Sequence, residues 1–156
     1  MKLSRRGLLA GCASLMLAAC RRREPPPAPA AAPRTVDLFI ESDGDFLAFT
    51  PDTLMCPTGA IVRLTFHHGG KFLSARHNWV LVRPGQMEAV DKSVEHEEGL
   101  VSKDDPRVIA FTPMCDKGAS VMIQFAAPGP GDYPFFCSTP GHGECMNGIL
   151  RVSNEL

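Results

Sequence analysis

The chain has 156 residues with 16 Lys plus Arg against 17 Asp plus Glu. That length allows one ordinary domain, and the charge balance excludes a strongly basic nucleic-acid binder. Hydrophobic residues make up 44% of the chain, which excludes wholesale disorder, and 14 Pro, 14 Gly and nine Phe suggest a turn-rich β protein.

Residues 1–19 combine Lys2, Arg5 and Arg6 with a short apolar run from Gly7 to Ala19. This is the plan of an export signal, and the run is too short for a comfortable membrane span. It ends Leu17-Ala18-Ala19-Cys20, which resembles a bacterial lipobox, so Cys20 is expected to carry lipid as the mature N-terminus. Leu9-Ala10-Gly11-Cys12 has the same form but leaves no hydrophobic region after Arg6. Ser4-Arg5-Arg6-Gly7-Leu8-Leu9 fits a twin-arginine signal and an ordinary charged leader equally well. After Cys20, the linker 20–33 holds three arginines, Glu24 and otherwise only Pro and Ala. Such a stretch buries nothing and favours an extended, semi-rigid spacer. The expected location is the periplasmic or cell-surface face of a bacterial membrane. Arg21 after the lipid cysteine favours the outer one, by analogy with lipoprotein sorting.

Residues 34–156 form the expected domain, with 10 Lys plus Arg and 16 Asp plus Glu, an acidic balance that again argues against nucleic acid. Short alternating runs recur at Thr35–Ile40, Ile61–Phe66, Trp79–Val82, Arg107–Phe111, Ser120–Phe125, Asp132–Cys137 and Ile149–Val152. Gly/Pro turns separate them, which predicts an all-β Greek-key sandwich of seven to eight strands. Within Gln86–Glu98, Met87, Val90 and Val94 stand at helical spacing and predict a short helical insertion around residues 86–98.

The chemistry concentrates in Cys137-Ser-Thr-Pro-Gly-His142-Gly-Glu-Cys145-Met146, at a strand end followed by a Pro-Gly turn. Far upstream, His77-Asn78-Trp79-Val80 opens another strand. One thiolate, two imidazoles and a weak axial thioether are the donor set of a blue-copper electron-transfer site. Thiolate and thioether suit Cu(I), and imidazoles suit Cu(II).

The Cys-x4-His-x3-Met spacing, the His-Asn-Trp-Val strand start and Arg107-Val-Ile-Ala before Phe111 and Thr112 resemble a cupredoxin of the azurin type, close also to the auracyanins. The resemblance covers roughly Thr35 to Val152, and the lipobox and stalk before it resemble lipid-anchored azurins. It implies one type 1 copper ion held by His77, Cys137 and His142, with Met146 axial. It also implies a further weak axial carbonyl before the first histidine, a glycine position in the family that is Arg76 here. Asn78 would tie the two ligand segments together and donate to the Cys137 sulfur. Thr139 stands where azurin has phenylalanine, so the rim is expected to be more polar. His67, His68 and His96 are expected at the surface, and the acidic run around His96 is a candidate docking patch.

The first strand lacks the cysteine that pairs in azurins, so Cys56 is left without that partner and open to intermolecular pairing. A Cys115–Cys145 disulfide is the expected bridge, with Cys145 as a competing ligand the alternative. The expected function is a membrane-tethered shuttle of single electrons between redox proteins such as c-type cytochromes or a terminal reductase or oxidase. Electrons would pass through the His142 edge, beside a docking face including Pro140 and Gly141. The alternative is an exported copper chaperone or scavenger. Catalysis is not expected, because the chain offers one such domain and no His-x-His pair, and Cys-x-x-Cys-His for a c-type haem is absent.

Overall fold

A computed structural model describes residues 34–72, 75–94 and 99–155. The expected signal, Cys20 and the Pro/Ala segment lie outside the described residues, as does His96. No helix among the described residues is long and apolar enough to cross a membrane.

The predicted alternation is present in the long strands and sorts them into a core face and an outer face. In β1 (Thr35–Ser42) Ile40 and Ser42 point inward, and in β4 (Ile61–His67) Val62, Leu64 and Phe66 do. The two strands pair in parallel, Thr35 beside Ile61 through Glu41 beside His67. With β2 (Phe49–Thr50) and β7 (Ser120–Ala126) they form one sheet in the order β2-β1-β4-β7. The second sheet runs β3-β9-β8-β5-β6, from β3 (Thr53–Pro57), β9 (Asn147–Ser153), β8 (Gly131–Phe136), β5 (Val80–Val82) and β6 (Val108–Phe111).

Nine strands therefore stand among the described residues where seven or eight were expected. The two additional ones are short edge strands around Pro51. β3 owes its place to parallel pairing with β9, Thr53 beside Ile149 through Pro57 beside Ser153. That partner is distant in sequence, so no local pattern announces it.

Between the sheets lie Ile40, Leu64, Phe66, Trp79, Phe135 and Leu150, all fully buried. Each such side chain contributes roughly 1.5–3 kcal/mol by leaving water. Phe49 packs edge-on to Phe66 and Phe135, with centroids 6.0 and 5.5 Å away, and Trp79 lies 5.6 Å from Phe135. This aromatic cluster stiffens the floor beneath the ends of the strands that carry the site.

The predicted helix is α1 (Met87–Val94), which buries Val90 and Val94, and Val90 packs with Val80, Val82 and Phe136 in a second cluster. Residues 95–98 of the expected insertion lie outside the described residues. Arg107 straps the helix to β6: its guanidinium grips the Asp105 carboxylate and donates to the Ala89 carbonyl and the Ser93 hydroxyl. Gly99 has φ +79° and donates its N–H to the Val94 carbonyl. A Cβ at Gly99 would lie 2.5 Å from the Ser138 carbonyl oxygen, so only glycine brings this turn against the residue that follows Cys137.

Candidate metal centre

Cys137 leaves β8 directly, and its N–H donates to the Met146 carbonyl across a closed loop. Inside that loop the N–H groups of both Cys145 and Met146 donate to the His142 carbonyl, and the His142 N–H donates to the Thr139 carbonyl. Gly141, at φ +79°, makes the turn that the Pro-Gly pair predicted. The loop thus returns His142 toward the strand end it came from. His77 arrives from the other segment, held by two backbone hydrogen bonds to Cys115.

These constraints bring three donor atoms together. Cys137 Sγ lies 3.6 Å from His77 Nδ1 and 3.8 Å from His142 Nδ1, and the two Nδ1 atoms are 3.2 Å apart. The point equidistant from all three is about 2.1 Å from each, the length of a first-row metal–nitrogen bond. A metal ion therefore fits the triangle without moving its corners. Among the described residues, His77, Cys137 and His142 are the one group of His, Cys and acidic side chains placed to hold a metal.

His77 is 2% exposed and Cys137 fully buried, whereas His142 keeps one edge toward solvent. Met146 is fully buried beneath the same loop. Burial, and then the charges of His68 and His142, push His77 down to about 4. Burial likewise lowers His142. Both imidazoles are thus held neutral at physiological pH, with lone pairs free for a metal. Burial raises the Cys137 thiol, which becomes a thiolate only when a cation compensates it.

The Asn78 side chain links the two ligand segments through Ser138 and not through the Cys137 sulfur. Its Nδ2 donates to the Ser138 hydroxyl, and its Oδ1 accepts from the Ser138 N–H at 2.9 Å. The Ser138 hydroxyl itself lies 2.6 Å from the Gly99 carbonyl. One buried network thus joins both ligand segments to the turn after α1, with Ser138 and Gly99 as members the sequence did not single out. On the other flank, Gly143 lacks the Cβ that would meet the Asp91 carboxylate of α1, 2.6 Å away.

Other expectations change. His68 is not at the surface: it is 1% exposed, with its ring centroid 4.4 Å from that of His77. Its Nε2 reaches the Ala75 carbonyl at 2.9 Å, and its Nδ1 accepts the Gly70 N–H. Those polar partners come from the turn that follows it and allow burial at what reads as a strand end. His67 is half-buried, its Nδ1 2.9 Å from the Ser120 hydroxyl.

The expected Cys115–Cys145 bridge is not formed, and the four described cysteines are free. Cys115 is buried in its bridge to His77, while Cys145 is exposed on the ligand loop. Nor is Cys56 placed for intermolecular pairing: it faces the core, 1% exposed, and burial pushes its thiol up. The Arg76 cation turns away to Asp116 at 3.1 Å and to the Met114 carbonyl.

The fold and donor set agree with the relatives. Residues 36–153 match the family described as copper binding proteins, plastocyanin/azurin family. Auracyanin-A of Chloroflexus aurantiacus is 31% identical over 123 residues, covering 76% of this chain and 75% of that protein. Auracyanin-B of the same organism is 35% identical over 120 residues, covering 73% of this chain but only about half (51%) of that longer protein. The solved auracyanin A, described as a "blue" copper protein, superposes with a TM-score of 0.69 at 30% identity, covering 76% of this chain and 99% of its own. A dithionite-reduced auracyanin from Roseiflexus castenholzii superposes with a TM-score of 0.69 at 32% identity over 77% of this chain and 98% of that one. With its sandwich, its copper-type donors brought together from two segments and these relatives, the chain belongs to the plastocyanin/azurin family of copper-binding proteins, a blue-copper family whose work is electron transfer.

Proposed function

We propose that this chain carries single electrons between redox proteins while tethered to a membrane through a lipid on Cys20. The observation that carries the reading is the preformed triangle of Cys137 Sγ, His77 Nδ1 and His142 Nδ1; Met146, buried on the same loop, would add a weak thioether donor. Copper bound there supplies a one-electron couple, Cu(I)/Cu(II), to which thiolate, thioether and imidazole are each suited. The residues themselves do the rest. The Asn78–Ser138 network and the loop hydrogen bonds hold the donors in place, so neither oxidation state requires rearrangement. Burial of His77, Cys137 and Met146 excludes water from all but one side.

That side is the His142 edge, where electrons enter and leave, flanked by the exposed Pro140 and Gly141. A small face of this kind suits weak, fast encounters with c-type cytochromes or a terminal reductase or oxidase. The Pro/Ala segment 20–33 serves as the spacer from the membrane, with the outer membrane favoured by Arg21. The role we propose is the transport of electrons. Copper handling is the second reading, favoured by the exposed Cys145 next to Met146.

The test is to load the full chain with Cu(II) and record visible and EPR spectra before and after dithionite. The expected result is an intense, bleachable blue band with narrow hyperfine splitting, shared by Cys145→Ser. A weak band with wide splitting would sink the electron-carrier reading and favour copper handling. Cys20→Ala is expected to move the protein from the membrane to the soluble fraction, and an unchanged distribution refutes the tether.

A further inference from the structure

His77 is clamped from both sides by the ligand loop. On one side stands the Asn78–Ser138 network. On the other, the Thr139 hydroxyl lies 2.6 Å from the carbonyl oxygen of Arg76, 63 residues away in sequence. Two other atoms approach the same hydroxyl, Cys137 Sγ at 3.5 Å and Met114 Sδ at 3.8 Å. A hydroxyl has one proton to give. A carbonyl at 2.6 Å is a far better acceptor than a sulfur beyond 3.4 Å, so the proton goes to Arg76 and the sulfur faces a lone pair. Arg76 is the residue whose carbonyl would offer a copper ion a second axial donor.

We propose that Thr139 is a positioning residue whose hydrogen bond occupies one lone pair of the Arg76 carbonyl, holds that oxygen in place and so withholds part of its donor strength from the metal. The inference rests on the copper reading above and deepens it. A carbonyl oxygen is a hard donor that favours Cu(II) over Cu(I), so withholding it favours the reduced state. Thr139 thereby raises the reduction potential above that of the same site with a free carbonyl.

The experiment compares the full chain with Thr139→Val, which keeps the shape and removes the hydroxyl, and with Thr139→Ser, which keeps the hydroxyl. In the copper-free protein, the carbonyl 13C resonance of Arg76 is expected to shift in Thr139→Val and to return in Thr139→Ser. In the copper-loaded protein, Thr139→Val is expected to favour Cu(II) over Cu(I) by up to about tenfold, about 59 mV lower in potential for one electron. Thr139→Ser is expected to restore it. An unmoved Arg76 resonance overturns the proposal. So does a fall in potential accompanied by a changed copper–sulfur stretch and an unmoved carbonyl, because the hydroxyl then serves the thiolate. A shifted carbonyl with an unchanged potential overturns it too, because the oxygen was no withheld donor. If the native chain lacks a thiolate–copper band, the electron-carrier reading fails and this proposal with it. A blue native site with any of the other contrary results overturns this proposal alone.

Discussion

Acidification of the copper-free protein tests the electrostatics of the site directly. His77 has its pKa lowered from 6.5 to about 4, first by burial and then by the charges of His68 and His142. Because the folded value lies below the unfolded one, the unfolded chain takes up the proton first. Stability is therefore fully present above about pH 6.5 and drains away as pH falls toward about 4. Between about pH 7 and about pH 4.5 the loss from this one group is about 2.5 kcal/mol. His142, lowered by burial, adds to it in the same sense. Four paired carboxylates contribute mainly below this window. Asp37, Glu88, Asp105 and Asp132 are all held below their ordinary values, chiefly by hydrogen bonds from Arg63, Lys92, Arg107 and Arg151, and lose their pairing only in stronger acid. The assay is denaturant unfolding of the copper-free chain at the two pH values. His77→Gln is expected to keep only the smaller loss from His142. Copper on Nδ1 blocks the proton and is expected to flatten the native profile. Equal stability of the native copper-free chain at both pH values would refute the reasoning, as would a loss of the same size in His77→Gln.

Three further outcomes follow from the packing. Gly148→Ala places a methyl against the Asp52 carbonyl and the Phe135 ring, so a cost of about 1–3 kcal/mol is expected in chemical denaturation, and a neutral result would contradict the tight β8–β9 contact. Asn78→Ala leaves the buried Ser138 N–H without its partner while the Ser138 hydroxyl keeps the Gly99 carbonyl, and about 1–3 kcal/mol of stability should go with a broadened copper EPR signal. Asp105→Asn removes the carboxylate that Arg107 grips, so its denaturation midpoint should fall below the native one at neutral pH. Since that carboxyl's pKa is depressed, the difference should vanish as pH drops through the folded value, and a difference persisting in strong acid would exclude the pair as its cause.

Strand alternation and the Val90/Val94 spacing were readable because both are local: each depends on residues a few positions apart on one element. The same holds for the Cys137–Met146 loop, whose Pro-Gly turn and donor spacing lie within ten consecutive residues. The edge strands were not readable, because β3 is a strand only through parallel pairing with β9. Nor was the burial of His68, which depends on Ser42, Gly70 and Ala75 closing around it. The disulfide expectation failed for a related reason: shared proximity to the site says nothing about which way two side chains face, and here one is buried and the other exposed.

The amino-acid order by itself therefore determined the donor types, the turn that groups Cys137, His142 and Met146, and an acidic β domain. The tertiary structure alone decided that His77 meets them with its Nδ1 3.6 Å from the sulfur, that Asn78 grips Ser138, and that Thr139 takes the Arg76 carbonyl. Those are distances between segments 60 or more residues apart. Sheet packing sets them, and no periodicity along the chain encodes them.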